Sequence, residues 1–207
     1  MITKKLLVCM IILYVIIRII LIVIIVGAMG AFAINSMLNP ISDKEREEIR
    51  KEGCMGTSCD MKKLVLLIHD KINEERKQYG LKELRWDTNL ALIAEKHSKD
   101  MGQRDYYDHV TPEGLDPTDR ANRDGYSCKK EYGTYYTYGV AENLYQLSGP
   151  WGGYENISSN VVEGWMDSSG HRENILEKNY DRQGIGVFFD PATSGDPWGW
   201  YITQKFC

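Results

Sequence analysis

The sequence predicts an α/β chain of the α+β kind, with helices flanking a small antiparallel sheet behind one N-terminal hydrophobic helix. Three observations carry this. A long uncharged apolar run opens the chain; two segments, Met61–Tyr79 and the one after Asp87, repeat apolar residues at helical spacing; and two late segments alternate apolar residues at strand spacing.

From Leu6 to Ile34 the only charged residue is Arg18. That exceeds the ~20 apolar residues a spanning helix needs. Lys4, Lys5 and Arg18 on the N-terminal side predict a single-pass anchor, N-in and C-out. Ala31-Phe32-Ala33 has the small-x-small form of a signal-peptidase site, so a cleaved leader and a secreted protein is the alternative for residues 1–38. Residues 39–61 have no sustained apolar period and read as a stalk, with a short helix over Asp43–Lys51 capped by Ser42 or Asp43. Residues 62–207 form the domain.

In the domain's first helix Leu64, Leu67, Ile68 and Ile72 share a stripe that ends at Gly80. The second follows its N-cap Asp87 and aligns Leu90, Ile93, Ala94, His97 and Met101. Asp105–Gly139 is rich in Pro and Gly and reads as loop, with a short helix over 117–122 and extended chain from Tyr135 to Leu147. Ile157–Trp165 is helical, and a new turn starts at Gly170. Ile185, Val187 and Phe189, then Trp200 and Ile202, read as a hairpin joined through Pro191, Gly195, Asp196 and Pro197.

The formal net charge is −4, while the first forty residues hold three cations and no acid, so the domain is acidic. With no cluster of Lys and Arg to meet phosphates, nucleic acid is excluded as a partner. Beyond Cys9, four cysteines remain: Cys54, Cys59, Cys128 and Cys207. In an oxidising compartment they allow two disulfides in three connectivities. The short Cys54–Cys59 spacing favours a local loop, leaving Cys128 for Cys207; a metal site is the alternative, without a CxxC pair to support it.

Of four histidines, His97 lies on an apolar helix stripe and His69 has no polar cluster around it. His109 and His171 sit in polar, Gly-flanked segments, where scaffolded sites concentrate. Glu142 interrupts an otherwise apolar run and needs a partner if buried. Two neutral imidazoles and a carboxylate suit a divalent metal, zinc first, with a position left for water. The alternative is that all three satisfy loop and helix-end backbone groups.

Several segments in order resemble the CAP superfamily (cysteine-rich secretory, antigen 5 and pathogenesis-related 1 proteins; the SCP-like extracellular domain) in its short prokaryotic form. They are Ile72-Asn73-Glu74-Glu75-Arg76, Leu84-Arg85-Trp86-Asp87, His97-Ser98-Lys99-Asp100-Met101, Asp108-His109, Asp119-Arg120-Ala121, Glu142-Asn143, the run from Trp165 to Leu176, and Gly184-Ile185-Gly186-Val187. The resemblance implies a three-layer α-β-α sandwich whose cleft gathers two histidines and two acids. His109, Glu142 and His171 match three of these; Ser168 stands at the fourth, with Asp167 beside it and Glu163 a turn earlier. It further implies a mostly secreted family, some of whose members bind divalent metal, sterols or other lipids; the aromatic-rich run from Tyr132 to Tyr145, among thirteen tyrosines, points to an extracytoplasmic module that holds a small apolar ligand, a glycan or a protein there and in the cleft. The alternative is a metal-dependent, peptidase-like hydrolase with Glu142 as general base on a water held by metal on His109 and His171, and Ser168 or Asn143 polarising the carbonyl.

Overall fold

The computed structural model describes residues 42–148, 152–191 and 199–207. The anchor or leader of residues 1–38 lies outside the described residues. Among the described residues no helix is long and apolar enough to cross a membrane.

In chain order the elements are α1 (Asp43–Lys51), α2 (Met61–Gln78), β1 (Arg85–Trp86), α3 (Thr88–Arg104), α4 (Pro117–Arg123), β2 (Lys129–Tyr132), β3 (Tyr135–Tyr138), β4 (Ala141–Ser148), α5 (Tyr154–Asp167), α6 (Ser169–Leu176), β5 (Arg182–Asp190) and β6 (Gly199–Phe206). Asp87 caps its helix as the sequence announces, and Asp60 is a further cap. The Asp60 carboxylate accepts from Lys62 N, and Asp87 accepts from Asn89 N and Leu90 N. Each satisfies helix N–H groups that have no intrahelical partner.

The main sheet has the order β1-β5-β6-β4. β5 and β6 form the expected antiparallel hairpin, and β4 adds to the other edge of β6, with Glu142 opposite Lys205 and Asn143 opposite Gln204. The sheet is not wholly antiparallel. Arg85 and Trp86 pair in parallel with Arg182 and Gln183; two residues are too few to show a period of two in the sequence. The long extended segment read from Tyr135 is also divided. Gly139, at φ +118°, breaks it, and its N–H donates to Cys128 O, so β3 turns back on β2 as a separate ribbon. All of β3 is solvent-exposed, which removes the alternation that would reveal a strand.

Strand alternation sorts the layers. Gly184, Gly186, Thr203, Lys205, Glu142 and Leu144 face α3, while Gln183, Ile185, Gln204, Asn143 and Tyr145 face α2, α5 and α6. On the first side the helix lies directly on the strand. A Cβ on Gly184 would come within 2.1 Å of Ala91 N, and one on Gly186 within 2.0 Å of Glu95 N. Ser98 Oγ donates to Gly186 O at 3.1 Å and to Thr203 Oγ1 at 2.8 Å. On the second side Trp165 is wholly buried and donates its indole N–H to Leu144 O at 2.9 Å. The result is the three-layer sandwich.

Two clamps close the layers. The buried Arg76 of α2 donates to Lys82 O at 2.8 Å, Ile175 O at 2.5 Å and Glu177 O at 3.0 Å, tying α2 to the end of α6. Disulfides join Cys54 to Cys59 and Cys128 to Cys207, as the local-loop pairing requires. The segment read as stalk is packed from Lys44 onward. Ile49 is buried, Arg46 pairs with Asp70, Arg50 Nη2 meets Glu74 Oε1 at 2.9 Å, and Cys54 O accepts from Gly153 N. One buried isoleucine and a string of ion pairs leave no apolar period, which is why this segment looks like linker.

Candidate functional site

The site is built at the start of β4. Glu142 points to the α3 side, its side chain 1% exposed. His109 Nδ1 lies 2.9 Å from Oε1, while Arg120 Nη2 and Lys205 Nζ each donate to Oε2 at 2.7 Å. His97 Nε2 is 3.8 Å from Oε1. Burial by itself would push this carboxyl up, but Lys205 first, then the His109 hydrogen bond, Arg120 and His97, outweigh it and hold the group at about 2. Glu142 is therefore an anion at every physiological pH. An ionised carboxylate only accepts, so His109 Nδ1 donates the hydrogen of this bond and Nε2 is the ring nitrogen left to other partners.

The surrounding groups are fixed by the fold. Lys205 reaches Glu142 because the two are directly opposite on adjacent strands. Burial holds its ammonium below the ordinary lysine value, opposed in part by the Glu142 carboxylate to which it donates. Arg120, on α4, also donates to His109 O at 2.6 Å and Leu115 O at 2.9 Å, which fixes the loop carrying His109. His97 donates from Nε2 to Asp108 O at 3.0 Å; burial, partly opposed by Glu142, lowers it to about 4, so it is neutral at pH 7. It is the packed histidine its helix stripe predicts.

On the other face a row of amides crosses three strands. Gln183 meets His69 Nδ1 at 2.8 Å, Gln204 donates to Gln183 Oε1 at 2.6 Å, and Asn143 donates to Gln204 Oε1 and to His171 O, both at 3.1 Å. Asn174 donates to Asn143 Oδ1 at 2.8 Å. The row pins the first turn of α6, which carries His171. Burial, then the charge of His109, lowers the His171 imidazole. His109 is half exposed and His171 partly so. Tyr107 completes the rim; burial, then Tyr145 and Glu142, push its hydroxyl up to about 12, so it stays a hydrogen-bond donor.

The sequence-predicted residues thus divide. His109 meets Glu142 directly, whereas His171 is tied in through its backbone, whose O accepts from Asn143, a strut rather than a reacting group. Ser168 is both the C-cap of α5 and the N-cap of α6, and its hydroxyl caps neither. Asp167 is exposed, and among the described residues neither it nor Ser168 makes a side-chain hydrogen bond or ion pair. Arg120 and Lys205 are the members that sequence reasoning overlooked. The signal was present, since a carboxylate in an apolar run demands cations, and Lys205 is the one charge in the last strand.

A divalent metal does not fit this donor set. Glu142 spends both oxygens on cations and His109, Ser168 supplies no carboxylate, and two imidazoles fall short of the three protein ligands of a catalytic zinc. Among the described residues no three His, Cys, Asp or Glu side chains are grouped so as to hold a metal ion.

A mixed sheet covered by helices on both faces, with a buried Glu142–His109 pair at the start of β4, sets the class. The chain belongs to the CAP family, the cysteine-rich secretory protein family, whose model matches residues 69–206. It is similar to two Bacillus subtilis (strain 168) proteins. One is the uncharacterized protein YkwD, 34% identical over 65% of this chain and 43% of that protein; the other is the uncharacterized membrane protein YlbC, 32% identical over 58% and 30%. The chain thus spans less than half the length of either. Its fold recurs in an extracellular SCP-domain protein of Bacillus anthracis (TM-score 0.50, 24% identity, 81% of this chain and 44% of that one). It recurs also in an outer surface protein of Borrelia burgdorferi (TM-score 0.50, 20% identity, 73% and 98%). At these identities the likeness is of fold alone.

Proposed function

We propose that this protein is an extracytoplasmic CAP module, tethered by its N-terminal apolar segment, that binds a small ligand, glycan or protein partner through the His109–His171 cleft without turning it over. The observation that carries the reading is the state of Glu142. A general base must be free to take a proton near neutral pH, and this carboxylate is held at about 2 by Lys205, His109 and Arg120. The hydrolase alternative loses its base and its metal together.

The cleft rim suits recognition. Tyr107, two residues before His109, is 45% exposed, and Tyr135, Tyr136 and Tyr138 stand 62%, 61% and 52% exposed on the β2–β3 ribbon. Such rings offer apolar area with a polar tip. Two disulfides agree with an oxidising location, as does similarity to an extracellular SCP-domain protein and to a membrane protein.

A peptide-hydrolysis assay on the full chain, wild type against His109→Ala and with or without zinc, tests the central point. Equal, background-level turnover supports a binding module; turnover that His109→Ala abolishes overturns it. Alkaline extraction of membranes, with N-terminal sequencing of the mature chain, separates an anchor from a cleaved leader.

A further inference from the structure

Lys205 is wholly buried, and among the described residues its ammonium has one hydrogen-bond acceptor, Glu142 Oε2 at 2.7 Å. Burying an ammonium costs more than one carboxylate readily returns. The strand register fixes it there nonetheless, and Arg120 reaches the same oxygen from α4. One anion therefore serves two fixed cations. An incoming divalent cation at His109 and His171 would meet this surplus positive charge, with Ser168 where a second carboxylate would otherwise offset it.

We infer that Lys205 is a built-in cation occupying the electrostatic place of a divalent metal beside Glu142, so that this cleft works without metal and receives its ligand on imidazole and hydroxyl groups. The inference rests on the cleft being the binding site proposed above, yet its readout needs no knowledge of the ligand. The Glu142 carboxylate stays in place to orient His109, whose Nε2 faces away from that hydrogen bond. Removing the ammonium, not the carboxylate, is what opens the cleft to a metal.

The test is a zinc titration by calorimetry on the full chain in detergent, comparing wild type, Lys205→Met and Lys205→Arg, each also carrying His109→Ala. Lys205→Met keeps the length of the side chain without its charge, and zinc binding tightens roughly tenfold or more, while wild type and Lys205→Arg remain weak. His109→Ala removes the gain. Equal affinity in wild type and Lys205→Met, or a gain that survives His109→Ala, overturns the inference. Should Lys205→Met not fold, Lys205→Gln, which still donates to Glu142 without a charge, carries the same comparison. Hydrolysis in the peptide assay would sink the binding-module reading and leave this zinc comparison standing, so the two failures are separable.

Discussion

Replacing Glu142 by Gln keeps the shape of the side chain and removes the charge that Lys205 and Arg120 bond at 2.7 Å. Two routes give the cost. A carboxyl held at about 2 instead of 4.5 contributes about 3 kcal/mol at neutral pH, at about 1.4 kcal/mol for each unit of the difference. Stranding a buried cation by deleting its partner costs about 3–5 kcal/mol. The two agree near 3 kcal/mol. Because the folded carboxyl lies below its unfolded value, this stability is fully present above about pH 4.5 and is lost as pH falls toward 2. Urea unfolding followed by circular dichroism, wild type against Glu142→Gln, therefore shows a gap of about 3 kcal/mol at pH 7 that shrinks below about 1 kcal/mol at pH 2.5. A gap under about 1 kcal/mol at pH 7, or one unchanged at pH 2.5, would refute the ion-pair account of the site.

Gly186→Ala puts a Cβ 2.0 Å from Glu95 N, a backbone atom of α3 that cannot step aside; a loss above about 3 kcal/mol, read in urea, is expected, whereas Gly53→Ala, with open space around it, stays near zero. The disulfides differ in what their removal costs. Cys128–Cys207 closes 79 residues of chain and Cys54–Cys59 only 5, so loop entropy assigns about 4.5 and about 2 kcal/mol to Cys→Ser pairs, measured by the shift of the urea midpoint. His97 is buried and His69 half-buried, and desolvation lowers both to about 4. The unfolded chain protonates these positions near pH 6.5, so stability falls from pH 6.5 toward 4 at about 2.7 kcal/mol per pH unit, and His97→Asn halves that slope.

The helices were legible because each announces itself locally. Asp87 caps, Leu64 to Ile72 and Leu90 to Met101 repeat at helical spacing, and the β5–β6 hairpin alternates on a sheet covered by helices. The β2–β3 ribbon and β1 were not legible. The ribbon has solvent on both faces and β1 has two residues, so neither carries a burial pattern for the sequence to display. The packed segment from Lys44 to Asp60 escaped for a related reason, being held by ion pairs and a disulfide instead of an apolar stripe.

The sequence nominated His109, Glu142 and His171 as polar groups in settings that demand a reason, and the fold joins the first two directly. What it left undecided is the charge state of that cleft. Lys205 sits 63 residues from Glu142 and Arg120 sits 22 away, and only strand register and the placement of α4 bring both ammonium and guanidinium onto one oxygen. Electrostatics depends on separation in space, which folding sets, and not on separation along the chain. Residue type nominated Glu142 as a base or metal ligand, and its neighbours made it a fixed counter-ion instead.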